Sequence, residues 1–228
     1  MQTSPFKARV GIKQLEQELI AKAKSCAEEK LSICGLKLFI PKTVFNTAIF
    51  LCETHRIIAH ISIKPGKSFL DLGCGCRLYA ILAAKSGCYP VYATDINQDA
   101  IHATEINAKT NNISVTIIKS DIFHDVPKKH KFDIIWWHHP YNLELSENDT
   151  DPYLENLVDQ DYRLLKNVLS EAPKYLEENG RIYLPNSREI GCRELFLQRV
   201  HEAALTAKLV ASEATVGGAS VDIFELHN

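Results

Sequence analysis

The stretch Ser68 to Tyr79, SFLDLGCGCRLY, constrains this chain more than any other. A short apolar run reaches Asp71, turns through Gly73 and Gly75, and passes into a helical pattern at Leu78, Ala80, Ile81, Ala83 and Ala84. Two glycines remove Cβ where the chain bends, so a ligand can lie on the backbone. The helix that follows offers N–H groups with no partner inside the helix. A strand, a glycine turn and a helix in that order make a nucleotide-type binding edge. A dinucleotide fingerprint needs G-x-G-x-x-G, and Leu78 stands where the third glycine would be. What remains is Asp71-x-Gly73-x-Gly75, which can be a ligand site or a structural glycine turn.

The next apolar runs repeat the pattern. Val91-Tyr92-Ala93-Thr94 ends in Asp95, at the spacing where a carboxylate holds ribose hydroxyls, and the run Val115–Lys119 leads through Ser120 to Asp121. Three successive strands ending in aspartate would align three carboxylates on the rim where open α/β sheets bind ligands. Each aspartate alone can equally be a strand-end cap.

The alternation of periods predicts strands at 68–71, 90–95, 115–120, 132–137 and 181–185, with helices at 77–86 and 97–111 between them. A helical zone from Leu154 to Glu178, broken at Pro173 and capped by Gly180, precedes the fifth strand. A helix at 189–206 leads to two strands, Lys208–Ala214 and Ser220–Leu226, joined across Gly217-Gly218. Such βαβ alternation implies a parallel sheet. Ahead of it, Ile12, Leu15, Leu19, Ala23, Cys26, Ala27 and Leu31 recur at helical intervals, which predicts an amphipathic helix over 12–31. Gly35 to Pro41 reads as a short strand or loop, and a further helix runs from about Glu53 to Ile63.

DLGCG, ATDIN, KSDIF and FDIIWWHHPY, in this order and at these distances, resemble the class I S-adenosylmethionine-dependent methyltransferases. Within that class the resemblance is to the small-domain branch of release-factor glutamine, ribosomal-RNA and adenine amino methyltransferases, and it covers about residues 42 to 228. It implies a Rossmann-like seven-stranded, mostly parallel sheet with a C-terminal antiparallel hairpin and helices on both faces, preceded by an N-terminal helical extension over 1–41. It implies a cofactor set of Asp71, Gly73, Gly75, Asp95, Ile96, Asp121 and Ile122, with Phe45 helping to close the pocket. S-adenosyl-L-methionine is the cofactor so implied.

The same resemblance places His138-His139-Pro140-Tyr141 where the family has Asn-Pro-Pro-Tyr. There the Asn side chain and the next carbonyl accept hydrogen bonds from an amide or exocyclic amine. Neutral imidazole has one acceptor nitrogen, so His138 can take the Asn's part; with an ordinary pKa of about 6.5, activity would rise between about pH 6 and 8. Other readings stay open: His138 as general base for a small-molecule acceptor, a cofactor-binding module without catalysis, or another transferase on the same scaffold. Adjacent histidines on an extended segment point to opposite sides, which argues against a shared metal.

Composition narrows the setting. Seven cysteines, an odd number without a C-x-x-C pair, read as reduced thiols. The first residues, MQTSPFKARV, lack the apolar core of a secretory signal, and no apolar run reaches the ~20 residues of a membrane span. A cytoplasmic enzyme is the expectation. Net charge is −2, divided as +6 through Lys67 and −8 beyond. The basic front can meet nucleic-acid phosphates or simply be solvated, while the acidic segment after Tyr141 slightly favours a protein or small-molecule substrate.

Overall fold

In the computed structural model, residues 29–33, 35–44, 56–75, 78–142, 158–214 and 220–227 are described. Two strands, β1 (Glu29–Ile33) and β2 (Leu36–Ile40), form an antiparallel hairpin. Then come β3 (Phe69–Leu72), α1 (Leu78–Lys85), β4 (Val91–Asp95), α2 (Gln98–Thr110), β5 (Thr116–Lys119) and β6 (Phe132–Trp137). The second half holds α3 (Arg163–Glu171), β7 (Leu176–Ser187), α4 (Arg193–Glu202), β8 (Thr206–Ala214) and β9 (Ser220–His227).

Seven strands make one sheet in the order β5-β4-β3-β6-β7-β9-β8. The first five are parallel, and β9 runs antiparallel to both β7 and β8. This is the expected Rossmann-like sheet with its antiparallel C-terminal pair. Chain order reverses at β3, which pairs with β4 on one side and β6 on the other. The crevice beyond the carboxyl ends of those strands is where such sheets bind ligands.

Both faces are covered. On one, Phe69, Ala93, Ile134, Trp136 and Tyr183 pack with Tyr79, Ala80 and Ala83 of α1. On the other, Leu70, Leu72, Ile135 and Trp137 pack with Tyr162, Leu165, Val168 and Leu169 around α3 and with Phe196 and Val200 of α4. Alternating residues of a central strand serve opposite faces, so β6 places its two tryptophans one on each side. No helix among the described residues is long and apolar enough to cross a membrane.

Two expectations change. The helix read over 12–31 falls mostly outside the described residues, and its end at 29–31 is strand, paired Glu29 with Ile40. The turn at Gly35 (φ 69) closes the hairpin, and Leu36 and Leu38 bury against Leu78, Ile81 and Leu82 of α1. Helix-former content was overridden by this tertiary packing. The outer edge of β2 is then satisfied by side chains. Asn107 accepts from Phe39 N (2.6 Å) and donates to its carbonyl (2.9 Å), and Asn111 does the same for Lys37 (2.9 and 2.7 Å). Two asparagines one helical turn apart thus stand in for a neighbouring strand.

The second change is Gly180, which is no helix cap but lies inside β7. Pairing jumps from Phe132↔Leu176 to Ile134↔Arg181, so β7 bulges here. A Cβ at Gly180 would lie 2.7 Å from the Phe132 carbonyl. The glycine is required by close approach to β6, and β7 begins five residues before Arg181. In the tail, Asp222 is 1% exposed and binds Arg188, Arg193 and Ser212. Burial opposes its charge, but these donors hold its carboxyl below the usual range.

At the opposite rim from the crevice, Asp133 pins β6 to β3. It accepts from Lys67 Nζ (2.6 Å), Ser68 N (2.9 Å) and Ser68 Oγ (3.0 Å). Burial works against its charge, yet these donors hold the carboxyl below the ordinary range. A depressed carboxyl contributes stability above its unfolded pKa of about 3.9 and loses it as pH falls. Asp133→Asn should therefore lower stability at pH 7 by about 1 kcal/mol, the deficit shrinking below about pH 4. Urea melts at both pH values measure it; a pH-independent deficit would contradict the ion-pair account.

Candidate active site

The crevice is built from β3 outward by register. Asp71 pairs with Ala93 on β4 and with Trp136 on β6. Asp95 and His138 are each two residues beyond those partners, roughly 6–7 Å further along their strands. Asp95 in turn pairs with Lys119, two residues before Asp121. The rim therefore steps upward on both sides of Asp71, which sits at the floor.

Asp71 is 1% exposed and accepts from the N–H of Ala80 at 3.0 Å, in the first turn of α1. A buried carboxylate there complements the helix N-terminus. Gly73 (φ 54) and Gly75 (φ 47) both take the left-handed conformation that glycine adopts without strain. Among the described residues a Cβ on Gly75 would meet nothing within 4 Å, whereas one on Gly73 would touch Trp137 Nε1 at 3.5 Å. The bare backbone of Gly75 borders open space.

Asp95 holds this turn. Its Oδ2 accepts from Gly75 N and its Oδ1 from Asn97 N, both at 2.8 Å. Cys74 adds a second tie, its N–H and Sγ both on the Thr94 carbonyl at 2.9 and 2.6 Å. Ile96 follows, an apolar side chain 63% exposed on the rim. Ser120 N bonds the Asp95 carbonyl at 3.0 Å, which brings Asp121 and Ile122 beside it. Asp121 is exposed, and Ile122 has φ 50. A β-branched residue in that region is strained by about 1–3 kcal/mol. Ser120 Oγ fixes it by donating to the Ile122 carbonyl (3.0 Å) and accepting from Asp125 N (2.9 Å).

Phe45 lies outside the described residues. The chain leading to it does not: Asn97 Nδ2 donates to the Thr43 carbonyl at 3.2 Å, and Val44 buries against Ala100. The segment before Phe45 is thus tied beside Ile96.

The two histidines part company. His138 is exposed, its ring stacked 5.9 Å from Tyr141 and edge-on to Trp136 at 6.2 Å. His139 is 1% exposed and points to the opposite face, among Trp137, Tyr141, Tyr162 and Phe196. Its Nδ1 lies 3.0 Å from the Pro140 carbonyl, so that nitrogen carries the proton. Its Nε2 is buried without a hydrogen bond of acceptable geometry, although the Pro185 carbonyl is near. The His139 side chain is therefore a core group outside the crevice.

Burial pushes the His139 pKa down to about 3, with His138 adding to the fall and the Pro140 and Pro185 carbonyls opposing it. The surrounding protein lowers His138 as well, to about 4. Water reaches the His138 ring and limits that fall, so its basicity lies below that of an ordinary histidine and the imidazole is mostly neutral at pH 7. An activity rise governed by His138 moves below the pH 6–8 window expected of an ordinary histidine. Among the described residues no three His, Cys, Asp or Glu side chains are placed to hold a metal.

The sequence reading missed Tyr162, Asn186 and Asp159. Tyr162 is fully buried, and its hydroxyl meets the Tyr141 carbonyl (3.0 Å), Asn186 Oδ1 (3.1 Å) and Cys192 N (3.0 Å). Asp159 caps α3 with both oxygens, on Leu164 N and Leu165 N at 2.8 Å each, and its own N–H bonds the Asn142 carbonyl at 2.8 Å. An aspartate just before a helical run is the N-cap signal that would have placed this boundary.

The only two tryptophans, Trp136 and Trp137, both lie in β6, so their emission reports on the histidines. A protonated imidazole quenches a neighbouring indole. Emission should fall with a midpoint below the ordinary value of about 6.5, a fall abolished by His138→Gln while circular dichroism shows the fold intact. A midpoint at or above about 6.5 would contradict the downward shift.

The residues present fit S-adenosylmethionine: bare backbone at Gly75 bordering open space, a rim carboxylate at Asp95, and apolar Ile96 and Ile122 on either side of it. The profile of the Methyltransferase small domain family matches residues 36–211. A Methanocaldococcus jannaschii protein named for protein N5-glutamine methylation is 29% identical over 167 residues, 72% of this chain and 82% of that one. The release factor glutamine methyltransferase of Streptococcus pneumoniae is 28% identical over 69% of this chain, which spans only 56% of that longer protein. In fold, a methyltransferase crystal structure from Pyrococcus furiosus is similar over 98% of both chains, with a TM-score of 0.64 at 21% identity. With more than half its length matched to the family, the chain belongs to the small-domain methyltransferases and is an S-adenosylmethionine-dependent enzyme.

Proposed function

We propose that this enzyme methylates a planar nitrogen, with the side-chain amide of a protein glutamine as the acceptor. The observation that carries the reading is the exposed, neutral His138 ring stacked on Tyr141, at the strand end next to the glycine turn. Relatives named for glutamine methylation support it. Family membership favours an enzyme over a binding module without catalysis.

In this reading Gly73 and Gly75 hold the methionine end of the cofactor, Asp95 the ribose hydroxyls, and Asp121 with Ile96 and Ile122 the adenine. Asp71 holds the start of α1 in place beneath them. Phe45 closes the pocket, and the division into an extension over 1–41 and a catalytic domain over 42–228 belongs to the same proposal. The bound cofactor supplies an electrophilic methyl on a sulfonium. What the chain adds is alignment and exclusion of water.

An amide nitrogen is a poor nucleophile because its lone pair is delocalised. A segment that accepts hydrogen bonds from both N–H groups holds the amide plane fixed and its lone pair toward the methyl. His138 offers one acceptor nitrogen and the His139 carbonyl offers another. As the nitrogen gains its methyl, one N–H proton must leave, and His138 passes it to the solvent that reaches its ring. Protonated, the same ring would repel the donor, so its lowered basicity keeps the site competent across neutral pH. Tyr141 lies against the planar group. A base exocyclic amine presents the same two N–H donors, which makes nucleic acid the second acceptor class.

Tritiated methyl transfer into cell lysate separates the classes. The expected label is protease-sensitive and hydrolyses to N5-methylglutamine; RNase-sensitive label would replace the glutamine reading with a base. His138→Asn should retain activity, while His138→Phe should reduce kcat by at least about a hundredfold, since an alignment error of this kind costs that much. Asp95→Ala should weaken S-adenosylhomocysteine binding by tenfold or more, read by calorimetry.

A further inference from the structure

Tyr162 belongs to neither half of the site, yet three segments meet at its hydroxyl. Cys192 N, at the start of α4, donates to it at 3.0 Å. The Tyr141 carbonyl at 3.0 Å and Asn186 Oδ1 at 3.1 Å compete for its single proton. The ring is fully buried in the main core, beside that of His139 at 5.7 Å. The backbone is bent to bring it there. Asp161 (φ 55) and Tyr162 (φ 51) are consecutive left-handed residues, and neither is glycine. Two such residues in a row store strain that the surrounding bonds must offset.

Gly191 gives a second, independent sign that this point is fitted. A Cβ there would lie 2.7 Å from Asn186 Oδ1 and 2.9 Å from the Tyr162 hydroxyl. The chain after β7 comes down onto the hydroxyl cluster because residue 191 has no side chain. Asp159 then secures the neighbouring carbonyl, its N–H on Asn142 O at 2.8 Å, and Asn142 pairs with Val158. The Tyr141 and Asn142 carbonyls are therefore both held by hydrogen bonds. Burial pushes the Tyr162 pKa up to about 12, the Cys192 N–H opposing and Asp159 adding to the rise, so the hydroxyl keeps its proton at any working pH.

We propose that Tyr162 is a positioning residue for methyl transfer: its hydroxyl fixes the Tyr141 carbonyl, and through it the His138–Tyr141 segment, against the end of β7 and the start of α4. The inference rests on that segment being the acceptor platform described above. Tyr162 touches neither cofactor nor acceptor. It sets where His138 and the His139 carbonyl stand, and a small displacement at such a platform costs rate rather than cofactor affinity.

Tyr162→Phe removes one oxygen and keeps the ring. Kcat for labelling of the protease-sensitive acceptor fraction should fall about tenfold or more. The calorimetric Kd for S-adenosylhomocysteine should stay within about twofold, because the cofactor rim on β3, β4 and β5 is untouched. Gly191→Ala, which wedges the same cluster, should give the same split. Tyr175→Phe is the control: Tyr175 is a buried tyrosine of the same core whose hydroxyl bonds the Phe123 carbonyl, and its loss should leave kcat unchanged. In hydrogen exchange, the Cys192 and Asp159 amides of Tyr162→Phe should lose protection, with no acceptor needed. Unchanged kcat in Tyr162→Phe, or an equal fall in Tyr175→Phe, overturns the proposal, as does a loss of cofactor affinity in step with kcat. If the wild-type protein labels no acceptor, the nitrogen reading fails instead. The role of Tyr162 in methyl transfer then falls with it, and the exchange measurement shows only whether the hydroxyl ties the three segments.

Discussion

The site depends on one carboxylate. Asp95 accepts from Gly75 N with one oxygen and from Asn97 N with the other. The first bond crosses from the end of β4 to the turn after β3, and the second opens the loop into α2. Two left-handed glycines would otherwise be the least ordered part of the chain, since glycine loses the most conformational freedom on folding. A charge-assisted pair of bonds in a nearly dry position offsets that loss. The Thr94 carbonyl, taking both the N–H and the thiol of Cys74, closes the same gap from below. The glycine turn is thus fastened to the neighbouring strand before any ligand arrives.

The chain leaving β6 is fastened by a different kind of contact. Where the family has a proline, this chain buries the His139 ring among four aromatic side chains. Burying a polar ring is costly unless its nitrogens find partners, and here Nδ1 bonds only the carbonyl of the next residue. The neutral state follows, because a charged ring in that enclosure would have to give up its hydration. His138, two residues past Trp136 on the open side, keeps access to water and stacks on Tyr141 instead. One pair of adjacent residues therefore supplies both an internal wedge and an exposed ring.

Sequence patterning reached the parallel strands because their signals are local. Apolar runs ending in Asp71, Asp95 and the Ser120-Asp121 pair gave strands within a residue or two of β3, β4 and β5, and β6 was placed at 132–137. Pattern failed where the deciding contact is distant. Gly180 carries a helix-cap signature, and only the Phe132 carbonyl beside it explains why it is glycine. The strand at Glu29–Ile33 exists because Leu36 and Leu38 find α1 more than forty residues later in the chain. Tyr162 was invisible for the same reason. Its partners Tyr141, Asn186 and Cys192 lie 21, 24 and 30 residues away, and it sat in a stretch read as helix.

Tyr162 bears on how the chain beyond β6 is held. A hydroxyl has one proton to give, and at Tyr162 two acceptors compete for it while an amide points at its lone pair. The three segments joined there differ in kind: a strand-end turn, the last residues of a sheet strand and a helix start. None can shift without breaking a bond in a buried place, where an unmet polar group costs more than the bond contributes when made. A tyrosine thus ties the chain after β6, and an aspartate the turn after β3. The Asp95 bonds join the ends of β4 and β3, while the Tyr162 bonds join the chain after β6 to β7 and α4. The two sets of bonds share no residue, so each can stand without the other.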